Sequence, residues 1–268
     1  MNILHLLLIP ASLLYFLAWI FGLPHFRRKF LGLKYFWCFS VLGFILHTAA
    51  LAYLAFSTGR VPIANSYELT ESIAWAIVLI DFAASAVLGA RMAGSASILV
   101  AAVLALLPAL CPSFSKMVFE SVEAASPDLA AVHAVSAVLS YAFLCLSAMF
   151  SGAYMLQLRA LKKRTSNALA PDSLPLPRTF RLARGSLGLA CLAMAVSVML
   201  GLAAASAADF GIFMRVKFAA ASILFAAMLG LLWLSFRKGL RESAFALLSI
   251  ILFVASILVL IPIELRNV

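Results

Sequence analysis

The residues of this chain with the most chemical potential are its histidines, His5, His25, His47 and His133, and a dense polar segment at 59–75. At helical spacings of three, four or seven residues, His47 shares a face with Ser40, Gly43 and Ala50. His133 likewise shares one with Ser136, Ala137, Ser140, Ser147 and Ser151. Small, weakly polar faces are where membrane helices pack closely, so both imidazoles are expected to point into a helix bundle and away from lipid. Two imidazoles at one depth can ligate a single metal centre from opposite faces, as axial ligands hold haem iron. The plainer alternative is that each only hydrogen-bonds a neighbouring helix. His25, in a basic connector, reads as a surface residue.

The segment Gly-Arg-Val-Pro-Ile-Ala-Asn-Ser-Tyr-Glu-Leu-Thr-Glu-Ser-Ile-Ala-Trp (59–75) places Glu68, Glu71, Ser72 and Trp75 on one face at the start of an apolar run. Pro62 and Asn65 fix a turn before it, and carboxylates in a first helical turn are favoured by the helix macrodipole. Helix initiation therefore accounts for part of the motif, but not for the Tyr67-Glu68 pair or for Trp75. Asp81, deep in the same run, must be paired, hydrated or protonated. An interhelical bond is the simplest reading of it, a proton relay the alternative.

Other chemistries find no support. Cys38, Cys111, Cys145 and Cys191 stand alone in apolar runs, where Cys behaves as a small hydrophobe. No CxxC or CxxCH occurs, so neither a redox pair nor covalent c-type haem attachment is encoded. GxSxG, HExxH and P-loop patterns are also missing, which argues against a hydrolytic enzyme.

These groups must be held by elements of an unusual composition. Hydrophobic residues make up 65% of the 268 and charged residues 11%, against roughly 45–50% and 25% in soluble domains. A soluble fold of this size cannot bury so much apolar surface, and a polytopic all-α membrane bundle follows. About 20 apolar residues cross the hydrocarbon core, and eight segments qualify: 3–23, 35–57, 70–90, 95–112, 130–157, 185–207, 216–236 and 243–262. They form a single membrane domain over residues 1–268, with the first run read as a retained span and no signal peptide.

Sorted by connector, fifteen basic residues fall on one side: Arg27, Arg28, Lys29, Lys34, Arg91, Arg159, Lys162, Lys163, Arg164, Arg178, Arg181, Arg184, Arg237, Lys238 and Arg241. Five fall on the other: Arg60, Lys116, Arg215, Lys217 and Arg266. By the positive-inside rule both termini lie outside. The net charge of +10 is thereby a topology signal, and nucleic-acid binding is excluded. In the outer connector at 113–125, Phe114, Met117, Val118, Val122 and Ala125 share one face, with Lys116, Glu120 and Glu123 away from it. That pattern suits a short helix lying in the interface, either a plain connector or a lid over an apolar ligand.

Two segments carry a family resemblance. Residues 59–75, with Pro62, Asn65, Tyr67, Glu68 and Trp75, resemble the P-x-x-N-x-Y-E-…-W segment of the CcsA-like and HemX-like cytochrome c assembly proteins. The span from His133 through Ser140 and Tyr141 to Tyr154 resembles that family's H-V-S-…-L-S-Y-A-…-Y span. The likeness covers about residues 36–160. It implies a non-covalently held haem b near the outer face of a bacterial inner membrane. His133 would be a haem-iron ligand and His47 an intramembrane one, with Asn65, Tyr67, Glu68, Trp75 and Tyr141 around the cofactor.

Implied partners are haem, a second cytochrome c biogenesis membrane protein and apocytochrome c, with the chain a non-catalytic component. HemX-like relatives are instead associated with control or support of haem synthesis. Where the family carries a tryptophan-rich outer motif, this chain reads Ala-Asp209-Phe-Gly-Ile-Phe-Met-Arg-Val-Lys217, and only Lys217 matches. A second external histidine near the last span is replaced by Ile-Pro262-Ile-Glu-Leu-Arg-Asn-Val. Both departures favour the HemX-like branch. Two other classes remain open at this point. One is a secondary transporter using Asp81, Glu71 and Lys217, although no repeat of broken spans is visible. The other is a structural subunit whose histidines only pack.

Overall fold

The computed structural model describes residues 3–23, 26, 30–63, 65–88, 94–110, 127–163, 174–205, 212–237 and 240–260. Their regular structure is helical: α1 (Ile3–Gly22), α2 (Phe30–Thr58), α3 (Ser66–Leu88), α4 (Gly94–Leu110), α5 (Pro127–Lys162), α6 (Leu176–Ala205), α7 (Ile212–Phe236) and α8 (Glu242–Leu260). Each corresponds to one of the eight expected spans. Six helices are long and apolar enough to cross a membrane, while α4 and α8 hold the shorter apolar stretches Ala96–Leu107 and Glu242–Leu258. The expected helical membrane bundle is therefore what the chain forms. Large apolar side chains such as Leu13, Ile45, Leu192 and Ile223 line its outer surface, as a lipid solvent allows.

Helix limits differ from the hydropathy edges in one instructive place. The sixth span, expected from 185, begins as a helix at Leu176. The Pro175 carbonyl accepts from the Arg178 and Thr179 amides, and the chain winds from there through Arg178, Arg181 and Arg184. Hydropathy marks where hydrocarbon starts; a helix needs only its backbone bonds, and continues into the polar zone. The interfacial helix expected at 113–125, with Phe114, Met117, Val118, Val122 and Ala125, lies outside the described residues. So do His25, Cys111, Asp209 and everything from residue 261.

The bundle divides into two groups of four. In the first, α1 packs on α2 and α4, and α3 packs on α4 and α2; in the second, α5 packs on α6 and α8, with α7 against α6 and α8. The α3–α5 contact, with a smaller one from α4, joins the groups. The α2–α3 connector sets the register of the first group. Gly59, at φ 68°, takes the left-handed conformation that ends α2, and its amide returns to the Ala55 carbonyl at 2.9 Å. Asn65 then caps α3: its Oδ1 accepts from the Glu68 amide at 2.8 Å, and its Nδ2 donates to Glu68 Oε1 at 3.0 Å. A side-chain cap satisfies one of the first-turn amides that otherwise lack a partner.

The second group is held by a ladder between α5 and α6. Ser147 Oγ donates to the Ala183 carbonyl (2.8 Å), Ser140 Oγ to Ala190 (2.9 Å), and His133 Nδ1 lies 2.8 Å from the Ser197 carbonyl. Each rung steps seven residues along α5 and seven back along α6, two helical turns at a time. Buried Ala183, Leu187 and Ala190 leave the room for this close approach. Ser147 also meets Ser249 of α8 at 2.8 Å.

Candidate functional site

Three helices of the first group converge on His47. Along α2, Ser40, Gly43, His47 and Ala50 form a buried stripe, as their spacing required, and the imidazole is fully buried. Gly43 makes the neighbouring arrangement possible. A Cβ there would stand 2.8 Å from the Tyr15 ring and 3.2 Å from the Ala11 carbonyl, so only glycine lets α1 lay Tyr15 one turn below His47. The Tyr15 hydroxyl then lies 3.4 Å from His47 Nδ1. On the opposite side His47 Nε2 faces Glu71 Oε2 of α3 at 3.2 Å, both side chains being 0% exposed.

The pair is close but out of line. Neither Glu71 oxygen nor His47 Nε2 has a well-directed hydrogen bond, and the hydroxyl of buried Tyr67, one turn before Glu71, also has none. Tyr67 sits edge-on to His5 at 6.2 Å. An imidazole and a carboxyl in such a dry place are tolerable as a neutral pair or as an ion pair, both of no net charge. The cluster is thus a phenol, an imidazole and a carboxyl in sequence across α1, α2 and α3, an arrangement able to hold and shift a proton.

The other members of the 59–75 segment serve different partners. Glu68 is clamped by Arg60, with Nη1 2.8 Å from Oε2 and Nη2 3.1 Å from Oε1. Ser72 Oγ donates to the Pro62 carbonyl at 2.8 Å. Trp75 donates its indole N–H to Thr48 Oγ1 at 2.9 Å and stacks on Phe44, both of α2. Asn65 is the cap already described. The face read as one unit is therefore divided: Glu68, Ser72 and Asn65 hold the connector, Trp75 holds α2, and only Glu71 with Tyr67 reaches towards the bundle interior. Asp81 receives a 2.9 Å bond from Ser97 of α4, an interhelical bond in the buried core.

His133 occupies a different place. Its Nδ1 meets the Ser197 carbonyl, and a Cβ on Gly201 would stand 3.2 Å from its Cε1 and 3.3 Å from Phe218 of α7. A carbonyl can only accept, so Nδ1 carries the proton. In the neutral ring Nε2 then keeps its lone pair, and the side chain is only partly buried. Tyr141 is buried in the core two turns on. Among the described contacts His47 and His133 share no neighbour: one is held by α1 and α3, the other by α6. Among the described residues no group of three or more His, Cys, Asp or Glu side chains is placed to hold a metal ion.

Two residues were not singled out beforehand. Arg60 entered only as an outer-side charge, although its position eight residues before a first-turn Glu was a signal. Tyr15 was overlooked; Leu8, Ala11, Ser12 and Ala18 surround it at helical spacings on α1 and are buried with it. A phenol on an otherwise small face is the mark that would have found it.

No protein-family model matches the chain. It is similar to Protein HemX of Bacillus subtilis (strain 168), 29% identical over 142 residues that make up 53% of this chain and 50% of that protein. The likeness is to HemX. The chain spans about half the length of the curated relative it matches. This falls on the HemX side of the resemblance drawn from the sequence, and nothing found supports its cytochrome c assembly side.

Proposed function

We propose that this chain is a HemX-like integral membrane protein of the bacterial inner membrane, both termini outside, with an accessory or regulatory role in haem synthesis, and that it binds haem b through His133. The observation that carries the reading is the His133 Nδ1–H bond to the Ser197 carbonyl at 2.8 Å. Haem and metal ligation by histidine uses a neutral ring whose second N–H is fixed by a carbonyl or carboxylate, because that bond sets the tautomer and orients the lone pair. In His133 the Ser197 carbonyl fixes Nδ1 as the donor and leaves Nε2 as the candidate ligand nitrogen. His47 has no nitrogen to spare in this arrangement, since its two nitrogens face Tyr15 and Glu71 and its ring is fully buried. The bound haem would supply a redox-active iron; the protein's own part is to orient an imidazole and exclude water around it.

The test is a haem titration of the full-length protein in detergent, read by the Soret band. His133→Gln keeps a side-chain donor for the Ser197 carbonyl but removes the ligand nitrogen, and is expected to weaken haem binding by about tenfold or more. His47→Gln is expected to leave the band in place. A wild-type protein without a Soret band, or a His133→Gln band identical to wild type, overturns the reading.

A further inference from the structure

Away from both histidines, the end of the bundle where α6 begins and α7 stops carries a second organised feature. Arg184 of α6 lies with its guanidinium carbon 4.9 Å from the Phe236 ring centre and 5.8 Å from that of Phe180. Arg237, just past α7, lies 4.3 Å over Trp233. The rings beneath are surface groups: Trp233 is 57% and Phe236 68% exposed. Phe180, by contrast, is anchored in the core between Tyr154 of α5 and Phe245 of α8. The Tyr154 hydroxyl donates to Glu242 at 2.8 Å, which ties α5 to α8 at the same end. Phe180, with Arg184 beside it, is therefore fixed where α5, α6 and α8 meet, and α7 brings Phe236, Trp233 and Arg237 alongside.

A guanidinium held over an aromatic ring by cation–π attraction still has N–H donors to offer a second partner. Among the described residues neither guanidinium has a carboxylate or carbonyl partner. Trp233 under Arg237 and Phe236 under Arg184 are three residues apart on α7 and so neighbours on one helix face, which brings both arginines to exposed rings of the types that settle at headgroup level. We propose that Arg184 and Arg237, with Trp233 and Phe236, form a binding site for the phosphodiester headgroup of an anionic phospholipid. The two arginines fork the phosphate oxygens, and the two exposed rings pack on the glycerol and the first methylenes of the chains. Charge complementarity and the location of the rings at a helix end select a lipid over a soluble anion.

Electron paramagnetic resonance of spin-labelled lipids tests this on the full-length protein in phosphatidylcholine vesicles. Spin-labelled phosphatidylglycerol is expected to associate more tightly than spin-labelled phosphatidylcholine. The preference should fall roughly fivefold for each arginine removed in Arg184→Gln and Arg237→Gln, since one basic residue near an anionic surface contributes about that factor. Lys162→Gln with Lys163→Gln, at the neighbouring end of α5, should cost less, and Arg184→Lys with Arg237→Lys should recover only part of the preference. Equal losses at all four positions, or full recovery with lysine, would mean diffuse charge and overturn the site. Competition by excess soluble glycerol phosphate would overturn the lipid assignment. If a glutamine variant does not fold, the wild-type preference must still decline as salt rises; a salt-insensitive or absent preference refutes the proposal.

Discussion

The two halves of the bundle solve the same problem, polar groups inside an apolar solvent, by opposite means. Helices α5–α8 use hydroxyls and one imidazole, each donating to a backbone carbonyl or another hydroxyl on a facing helix. Nothing in that ladder bears a carboxylate; Glu242, which accepts from Tyr154, stands at the first residue of α8, at the end of the bundle. Helices α1–α4 instead bury Glu68, Glu71 and Asp81 with His47 among them. A hydroxyl rung loses little if it is broken, because a serine can turn back to a carbonyl of its own helix, as Ser12, Ser136 and Ser256 do. A buried carboxyl is costly without its partner. The second half is thus joined by neutral hydrogen bonds, while the first keeps carboxyl and imidazole groups in its core.

Four substitutions, one of them added to another, would sharpen or break that contrast, read as unfolding of the full-length protein in mixed micelles. The largest effect is expected from His47→Ala, which strands Glu71 and should destabilise by about 3–5 kcal/mol. Adding Glu71→Gln to it should restore most of that loss, because the orphaned charge is gone; no restoration would show that the pair does not share a proton or a charge. Next is Gly43→Val, which drives Tyr15 off its seat and should cost about 1–3 kcal/mol as overpacking. A neutral Gly43→Val would mean that α1 is free to move away from α2. Smallest is Ser140→Ala, expected near 0.6 kcal/mol, the average for an interhelical hydrogen bond in a membrane. A loss there as large as that of His47→Ala would erase the distinction between the halves.

Much of this was legible in the chain before any coordinates. The stripe Ser40, Gly43, His47, Ala50 announced an inward imidazole, and the seven-residue spacing of His133, Ser140 and Ser147 announced a closely packed face. Pro62 and Asn65 announced a helix start. Harder to read was the division of labour within 59–75. Glu68 and Glu71 are three residues apart and chemically alike, yet one closes on Arg60 in the connector and the other on His47 in the core. Side-chain type and local spacing are the same in both cases; what differs is which helix lies opposite.

Composition and period, then, determined the solvent, the helix number and which face of each helix turns inward, because these follow from local hydrophobicity summed over one turn or one span. Partner choice did not follow. That Tyr15 reaches His47, that Trp75 reaches Thr48 and not the bundle centre, and that the two histidines are held by separate sets of helices depend on how α1 lies in the groove at Gly43 and how α5 meets α6. Those contacts join residues dozens of positions apart, and the free energy that selects them exists only once whole helix faces have been packed together.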